Sequence, residues 1–207
     1  ARLVEALGHR GPDARGTAVA DGVGLAHTRL AILDLSEQGA QPMWSPDRQQ
    51  LIAYNGEVYN ADRLRNELGR PMSSYRGHSD TEVLVEAIAQ WGGSEALTRA
   101  VGMFAFAAWD TRESELWLAR DRFGEKPLYF GAMGDIFAFS SELKSLRAVS
   151  GGRLEVNRGS LHQLLRWSWI PAPRTIYTGV QKVLPGHLLR LTSTGEQISY
   201  ERYWCAV

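Results

Sequence analysis

LIAYNGEVYN, residues 51–60, is an apolar run that halts at an Asn-Gly pair and passes at once into a helix-like stretch. Leu51, Ile52, Ala53 and Tyr54 are consecutive apolar residues bounded by turn formers, the pattern of a strand in a sheet covered on both faces. Such a strand delivers Asn55 and Gly56 to its open end. There the Asn amide can donate a hydrogen bond, and a glycine lets its own N–H approach a ligand because no Cβ stands in the way. A donor pair of this kind can hold an oxyanion. The same dipeptide is also the mark of an ordinary two-residue hairpin turn, and the local pattern leaves both readings open.

With 207 residues, the chain can form one large domain or one domain with an appendage, around a substantial core. Its 44% hydrophobic and 22% charged residues are a globular composition. Lys plus Arg number 23 and so do Asp plus Glu, so no positive excess marks a nucleic-acid partner. Cys205 is the single cysteine, which excludes an intramolecular disulfide and makes a cytoplasmic setting the default. No apolar run approaches a membrane span, and no signal peptide opens the chain. ARLVEALGHRGPD starts without an initiator Met and the sequence ends at YWCAV, straight after a Tyr-Trp pair; both ends read as cuts.

Leu3, Val4 and Leu7 have helix spacing over Ala1–Leu7, with Gly8 placed to stop the helix. His9, Arg10 and Asp13 then share a Gly-Pro loop, either as part of a site or as a salt-bridged brace. Thr17–Asp34 alternates around a turn at Asp21-Gly22, a hairpin whose second strand is Val23–Leu33. Arg29 lies in that second strand among Leu25, Leu30 and Ile32. A charge there is costly unless paired, so Arg29 requires a carboxylate, supplied by the fold or by a ligand. Leu64 and Leu68 mark a short helix over 61–68. Ser79-Asp80-Thr81-Glu82 opens a longer one with Val83, Leu84, Ala87, Ile88 and Trp91 inward, and Ser79 with Glu82 has capping-box spacing. Asp80 suits the helix dipole; it also suits an ammonium partner.

VGMFAFAAW, 101–109, is a buried strand returning through 110–112 to Glu115–Ala119, and the charged run 120–127 reads as a solvated turn. Leu128–Phe130 and Ile136–Phe139 form another hairpin, and helix resumes over 141–146. Ser150-Gly151-Gly152 is not a phosphate loop, because an alternating strand, Arg153–Asn157, follows it where a helix is needed. Leu161, Leu164 and Leu165 suggest a further short helix, and His187–Leu191 with Gln197–Trp204 a terminal hairpin. Hairpins throughout, with helices between them, give an α+β layering.

HRGPD at 9–13, LAHTRLAILD at 25–34, YNGEVYN at 54–60, SDTE at 79–82, GMFAFAAWD at 102–110, RDRFGEKPLYF at 120–130 and SSELKSL at 140–146 occur in one order. Together they resemble the glutaminase domain of glutamine-dependent asparagine synthetases. TIYTGVQKVLPGHLL at 175–189 with YW at 203–204 is similar to that family's passage towards the synthetase domain. The resemblance implies an N-terminal-nucleophile hydrolase fold, an αββα sandwich of two antiparallel sheets between helix layers. It divides the chain into 1–147, a class II amidotransferase domain lacking its N-terminal segment, and 148–207, the remainder and passage to a synthetase domain. It further implies that glutamine is the substrate. Arg29 is implied to hold its α-carboxylate and Asp80 its α-ammonium. Asn55 and Gly56 form the oxyanion hole, Glu57 frames the pocket, and Leu30 and Ile32 line it. In the family, an N-terminal cysteine thiolate attacks the amide with the free α-amino group as base, which is sound chemistry for an amine that is partly uncharged near neutral pH.

The family's cysteine precedes HRGPD and is not in this sequence, and Cys205 is no substitute because it carries no free α-amino group. As written, the chain is therefore expected not to hydrolyse glutamine, either because an N-terminal segment is missing, the preferred explanation, or because a degenerate relative has lost the nucleophile. The segment itself implies no cofactor and no metal; ATP and Mg2+ belong to the synthetase domain, whose pyrophosphatase motif is absent here. Glutamine and that domain are the implied partners, with a homodimer open, and no nucleic acid or membrane. Two other readings stand: an amidotransferase-like synthetase with a different acceptor, and a non-catalytic glutamine-binding or structural domain.

Overall fold

Side chains along residues 50–58 point alternately into two cores. Ile52, Tyr54 and Val58 pack with Leu64, Val83 and Ile88 on one side; Leu51 and Ala53 pack with Leu25, Leu118 and Leu189 on the other. Period-two alternation with both faces apolar is what a central strand requires. The computed structural model describes residues 2–32 and 34–206. Ala1 and Leu33, read above into the first helix and the second strand, lie outside the described residues.

In chain order the elements are α1 (Arg2–Ala6), β1 (Ala14–Ala20), β2 (Val23–Arg29), β3 (Met43–Trp44), β4 (Gln50–Val58), α2 (Ala61–Glu67), α3 (Asp80–Trp91) and α4 (Gly93–Arg99). There follow β5 (Gly102–Asp110), β6 (Glu115–Arg120), β7 (Tyr129–Met133), β8 (Ile136–Ser140), α5 (Leu143–Val149), α6 (Arg158–Trp167), β9 (Val180–Lys182), β10 (His187–Thr192) and β11 (Gln197–Arg202). A six-stranded sheet runs β11-β10-β6-β5-β4-β3, a second runs β8-β7-β9, and β1 pairs with β2 alone. Every pairing is antiparallel.

Helices α2, α3 and α4 cover one face of the large sheet. The β1–β2 hairpin and the strands β7 and β8 cover the other, around Trp109 and Leu118. Leu146 of α5 and Leu3 of α1 then pack outside the three-stranded sheet against Met133 and Ala138. The stack is helix, sheet, sheet, helix, the αββα sandwich, with its second β layer in two hydrogen-bonded pieces. Among the described residues no helix is long and apolar enough to cross a membrane.

Several elements differ from the sequence reading. β4 does not stop at Asn55; it runs through Gly56 to Val58, each residue paired with β5. β2 ends at Arg29 because its partner β1 begins opposite it at Ala14, and Leu30 and Ile32 are exposed beyond the sheet. Glu82 does not close a capping box: Ser79 caps the Thr81 N–H at 3.1 Å, while the buried Glu82 carboxylate takes the N–H groups of Arg76 at 2.8 Å and Gly77 at 3.0 Å. The 120–127 loop is not a solvated turn. Asp121 is fully buried, with Lys126 N–H at 2.9 Å and those of Phe123 and Glu125 at 3.0 Å converging on its carboxylate. Residues 153–157 make only one bridge, Val156 to Tyr177, and no strand. Leu161, Leu164 and Leu165 do lie on a helix, but the stripe is solvent-exposed.

Candidate active site

β4 carries Asn55 and Gly56 along its pairing with β5, where Gly56 faces Phe104. Only glycine fits at 56. Its φ of +152° is a conformation that residues with side chains avoid. A Cβ there would also stand 2.1 Å from the Met103 carbonyl oxygen. The glycine is therefore dictated by the close approach of β5 rather than by room for a ligand. Asn55 follows Leu51 and Ala53 on the interlayer face, and its Nδ2 is buried without a hydrogen-bond partner among the described residues. A buried donor left unpaired is uncommon and marks a position built for something else.

A cavity of about 360 Å³ opens beside these two residues, and Arg29, Leu30, Ile32, Asn55, Gly56, Glu57 and Asp80 all line it. Asp80 sits in the first turn of α3, where the helix dipole favours its charge. It is buried, and both its hydrogen bonds fall on Oδ2: the Tyr54 hydroxyl donates at 2.7 Å and the Val58 N–H at 2.8 Å. Burial, with the Asp80 charge added, raises the Tyr54 hydroxyl far above its ordinary value, so Tyr54 stays a donor.

Arg29 closes β2 at the opposite side. Its guanidinium donates to the carbonyls of Ser36, at 2.8 Å, and Asp34, and to no side-chain carboxylate among the described residues. Of the two sources open to it in the sequence, the fold or a ligand, the fold supplies no hydrogen-bonded carboxylate among the described residues. The Asp34 carboxylate is spent on Ser36 Oγ at 2.6 Å and the His78 N–H at 3.0 Å, contacts that lower its pKa despite being exposed. Leu30 and Ile32, 55% and 74% exposed, form a rim rather than a floor. Glu57 is half-buried on the wall.

His9 and Arg10 form a brace: Glu142 accepts from them at 3.0 and 3.1 Å, with Lys144 at 3.2 Å. Sequence reasoning missed His27, which lines the same cavity. Its Nδ1 is buried without a partner among the described residues. Burial above all, and the nearby Arg29 charge, lower its pKa to about 4 against the pull of a hydrogen bond to the Tyr54 backbone. A histidine in the apolar run LAHTRL, two residues before Arg29, was the available signal. Gln41 was missed too; its Oε1 accepts from the Tyr54 N–H at 2.7 Å and its Nε2 reaches Thr81 Oγ1 at 3.2 Å, tying β4 to α3. The Gly151-Gly152 turn does not fit a nucleotide phosphate, since the Gly152 N–H already closes the end of α5 on the Arg147 carbonyl at 2.8 Å.

Residues 1–204 match the family model described as a glutamine amidotransferase domain. Over 198 residues the chain is 37% identical to asparagine synthetase [glutamine-hydrolyzing] 1 of Bacillus subtilis, covering 96% of this chain and 31% of that protein. It is 35% identical over 201 residues to amidase chyE of Penicillium rubens, covering 97% and 29%. The chain thus spans about a third of the length of the curated relatives it matches. Among solved structures, glutamine phosphoribosylpyrophosphate amidotransferase from B. subtilis superposes with a TM-score of 0.73 over 100% of this chain and 46% of that one, at 23% identity, which shows a common fold. On its sequence match and on the sandwich that carries the site, the chain belongs to the glutamine amidotransferase family, alongside glutamine-hydrolysing asparagine synthetases.

Proposed function

We propose that this chain is the glutaminase part of an asparagine-synthetase-like amidotransferase, releasing ammonia from glutamine for ATP-dependent amidation of aspartate on a further domain. The observation that carries the reading is one cavity holding an uncommitted buried Asn55 amide, a fixed Asp80 carboxylate and an Arg29 without a carboxylate partner among the described residues. Arg29 then binds the α-carboxylate as a planar fork, and Asp80 the α-ammonium. Asn55 Nδ2 and the Gly56 N–H stabilise the oxyanion of the tetrahedral intermediate, a contact stronger in the transition state than in the ground state. Glu57 frames the pocket. The thiolate comes from a cysteine on a segment preceding Ala1. In support, β2 pairs only with β1 and β8 only with β7 among the described residues, and both line a second, mainly apolar cavity of about 180 Å³ that adjoins Asn55. ATP and Mg2+ act on the further domain, and no step here passes through them.

The test is glutamate release by the polypeptide that includes its nucleophile. Asn55→Ala lowers kcat by about 10²–10³ with KM little changed, and Arg29→Ala chiefly raises KM. An Arg29→Ala enzyme with unaltered KM, or equal losses in kcat and affinity for Asn55→Ala, overturns the assignment. A different acceptor is the second reading, favoured by the comparable identity to a protein named an amidase; supplying ATP with aspartate and following asparagine decides it.

A further inference from the structure

His27 and Asn55 reach the same space from opposite layers. Alternate residues of a strand share a face. Leu25 of β2 and Ala53 of β4 pack in the same interlayer core, so His27 and Asn55, each two residues further on, point between the layers as well. β2 packs against β4, and both residues line the polar cavity and the apolar one beside it. Across β1 the partner of His27 is Gly16, so no side chain stands directly opposite the ring on that strand.

Each residue brings one buried nitrogen without a partner among the described residues: Nδ2 of Asn55 and Nδ1 of His27. They are opposite in kind. An Asn amide nitrogen only donates. The Tyr54 backbone favours the protonated ring, while Nδ1 itself has no hydrogen-bond partner among the described residues. With the ring proton on Nε2, Nδ1 presents a lone pair. The ring is neutral near pH 7, since burial holds its pKa down to about 4. The site then offers one donor and one acceptor, and neither has a partner among the described residues. A primary carboxamide is the small group that presents an acceptor oxygen and a donor nitrogen on one carbon. A carboxylate presents only lone pairs and meets the His27 nitrogen unfavourably.

We propose that His27 is a specificity-determining residue, whose Nδ1 accepts a hydrogen bond from the side-chain –NH2 of bound glutamine and so separates glutamine from glutamate. This rests on the glutaminase reading of the cavity. It also gives the site a means of releasing its product, because the glutamate side chain loses the contact that held the amide.

The experiment is calorimetric titration of the protein, His27→Leu and His27→Asn with L-glutamine and with L-glutamate. Wild type prefers glutamine. His27→Leu lowers glutamine affinity about tenfold and leaves glutamate affinity in place, the size expected for one lost neutral hydrogen bond. His27→Asn, whose Oδ1 restores an acceptor, recovers most of the preference. A folded His27→Leu protein with the wild-type preference overturns the assignment and leaves the glutaminase reading standing. A wild type that binds no glutamine overturns both. Should His27→Leu fail to fold, 15N-histidine spectra of the wild type decide: saturating glutamine shifts the His27 Nδ1 resonance from its free-acceptor position, and an unmoved resonance overturns the proposal.

Discussion

The Tyr54 hydroxyl donates to Asp80 Oδ2 across 2.7 Å, joining the central strand β4 to the first turn of α3. The Val58 N–H donates to that same oxygen at 2.8 Å, so one carboxylate oxygen is consumed by the fold. Tyr54→Phe removes one of these two donors without changing volume. Loss of a hydrogen bond to a charged acceptor costs about 1.5–3 kcal/mol. On the proposed function, and in the polypeptide that includes its nucleophile, Tyr54→Phe is expected to lower thermal stability and to raise the KM for glutamine while kcat falls less. Unchanged KM would separate Tyr54 from ligand positioning and leave it a purely structural tie.

Gly56→Ala tests the backbone of the proposed oxyanion hole. The left-handed-side φ costs an alanine about 1–3 kcal/mol. The added methyl must also displace the β5 backbone at Met103 and Phe104, which lie 2.1 and 2.6 Å from it. Denaturant unfolding should show a loss exceeding the backbone term alone. The outcome that contradicts this geometry is a variant as stable and as active as the parent.

Asp121→Ala probes a loop whose charges the sequence made look incidental. Three N–H groups, those of Phe123, Glu125 and Lys126, lose their acceptor, and so does Phe104 N–H at 3.3 Å. Arg120 holds the same loop from behind through the carbonyls of Gly124, Lys126 and Val183 at 2.6–2.9 Å. Buried donors left unsatisfied cost about 1–3 kcal/mol each, so a drop of about 3 kcal/mol or more in unfolding free energy is expected. Lys126 lines the cavity, and activity should fall with the loop.

Stability should also depend on pH through His27. Its folded pKa, about 4, lies below the ordinary 6.5, so the unfolded chain binds more protons between the two values. The stabilisation is complete above pH 6.5 and is lost as pH falls towards 4, by up to about 3 kcal/mol. Urea melts at intervals from pH 7 to pH 4, compared with His27→Leu, isolate this contribution. A variant with the same acid slope as wild type would assign the slope to other groups.

What the sequence disclosed followed from patterns with a local cause. The Asp21-Gly22 hairpin was legible because both residues must take positive φ, here 50° and 84°. β5 and α3 were legible from an unbroken apolar run and from helix spacing after a cap. Arg29 could be singled out because a charge in apolar company needs an explanation, and Asp80 because it stands in the first turn of a capped helix. Asp121 and His27 escaped notice for the same physical reason: each is held by partners remote in sequence, Asp121 by Phe104 and Gly186 and His27 by β4, and nothing beside the residue itself marks it. The end of β2 was misplaced because strand length depends on where β1 begins, and apolar Leu30 and Ile32 lie exposed at the rim.

β10 pairs with β6 from Leu188–Ala119 to Thr192–Glu115, and β11 closes the row outside it. Trimming the chain after its last strongly recognisable segment, near residue 147, would strip β6 of that neighbour. An exposed strand edge such as β6, Leu-Trp-Leu-Ala at its centre, with bare amides and carbonyls invites other copies to zip onto it. Anyone expressing this domain as an isolated unit must therefore carry the tail past Arg202, or expect inclusion bodies where a folded protein was wanted.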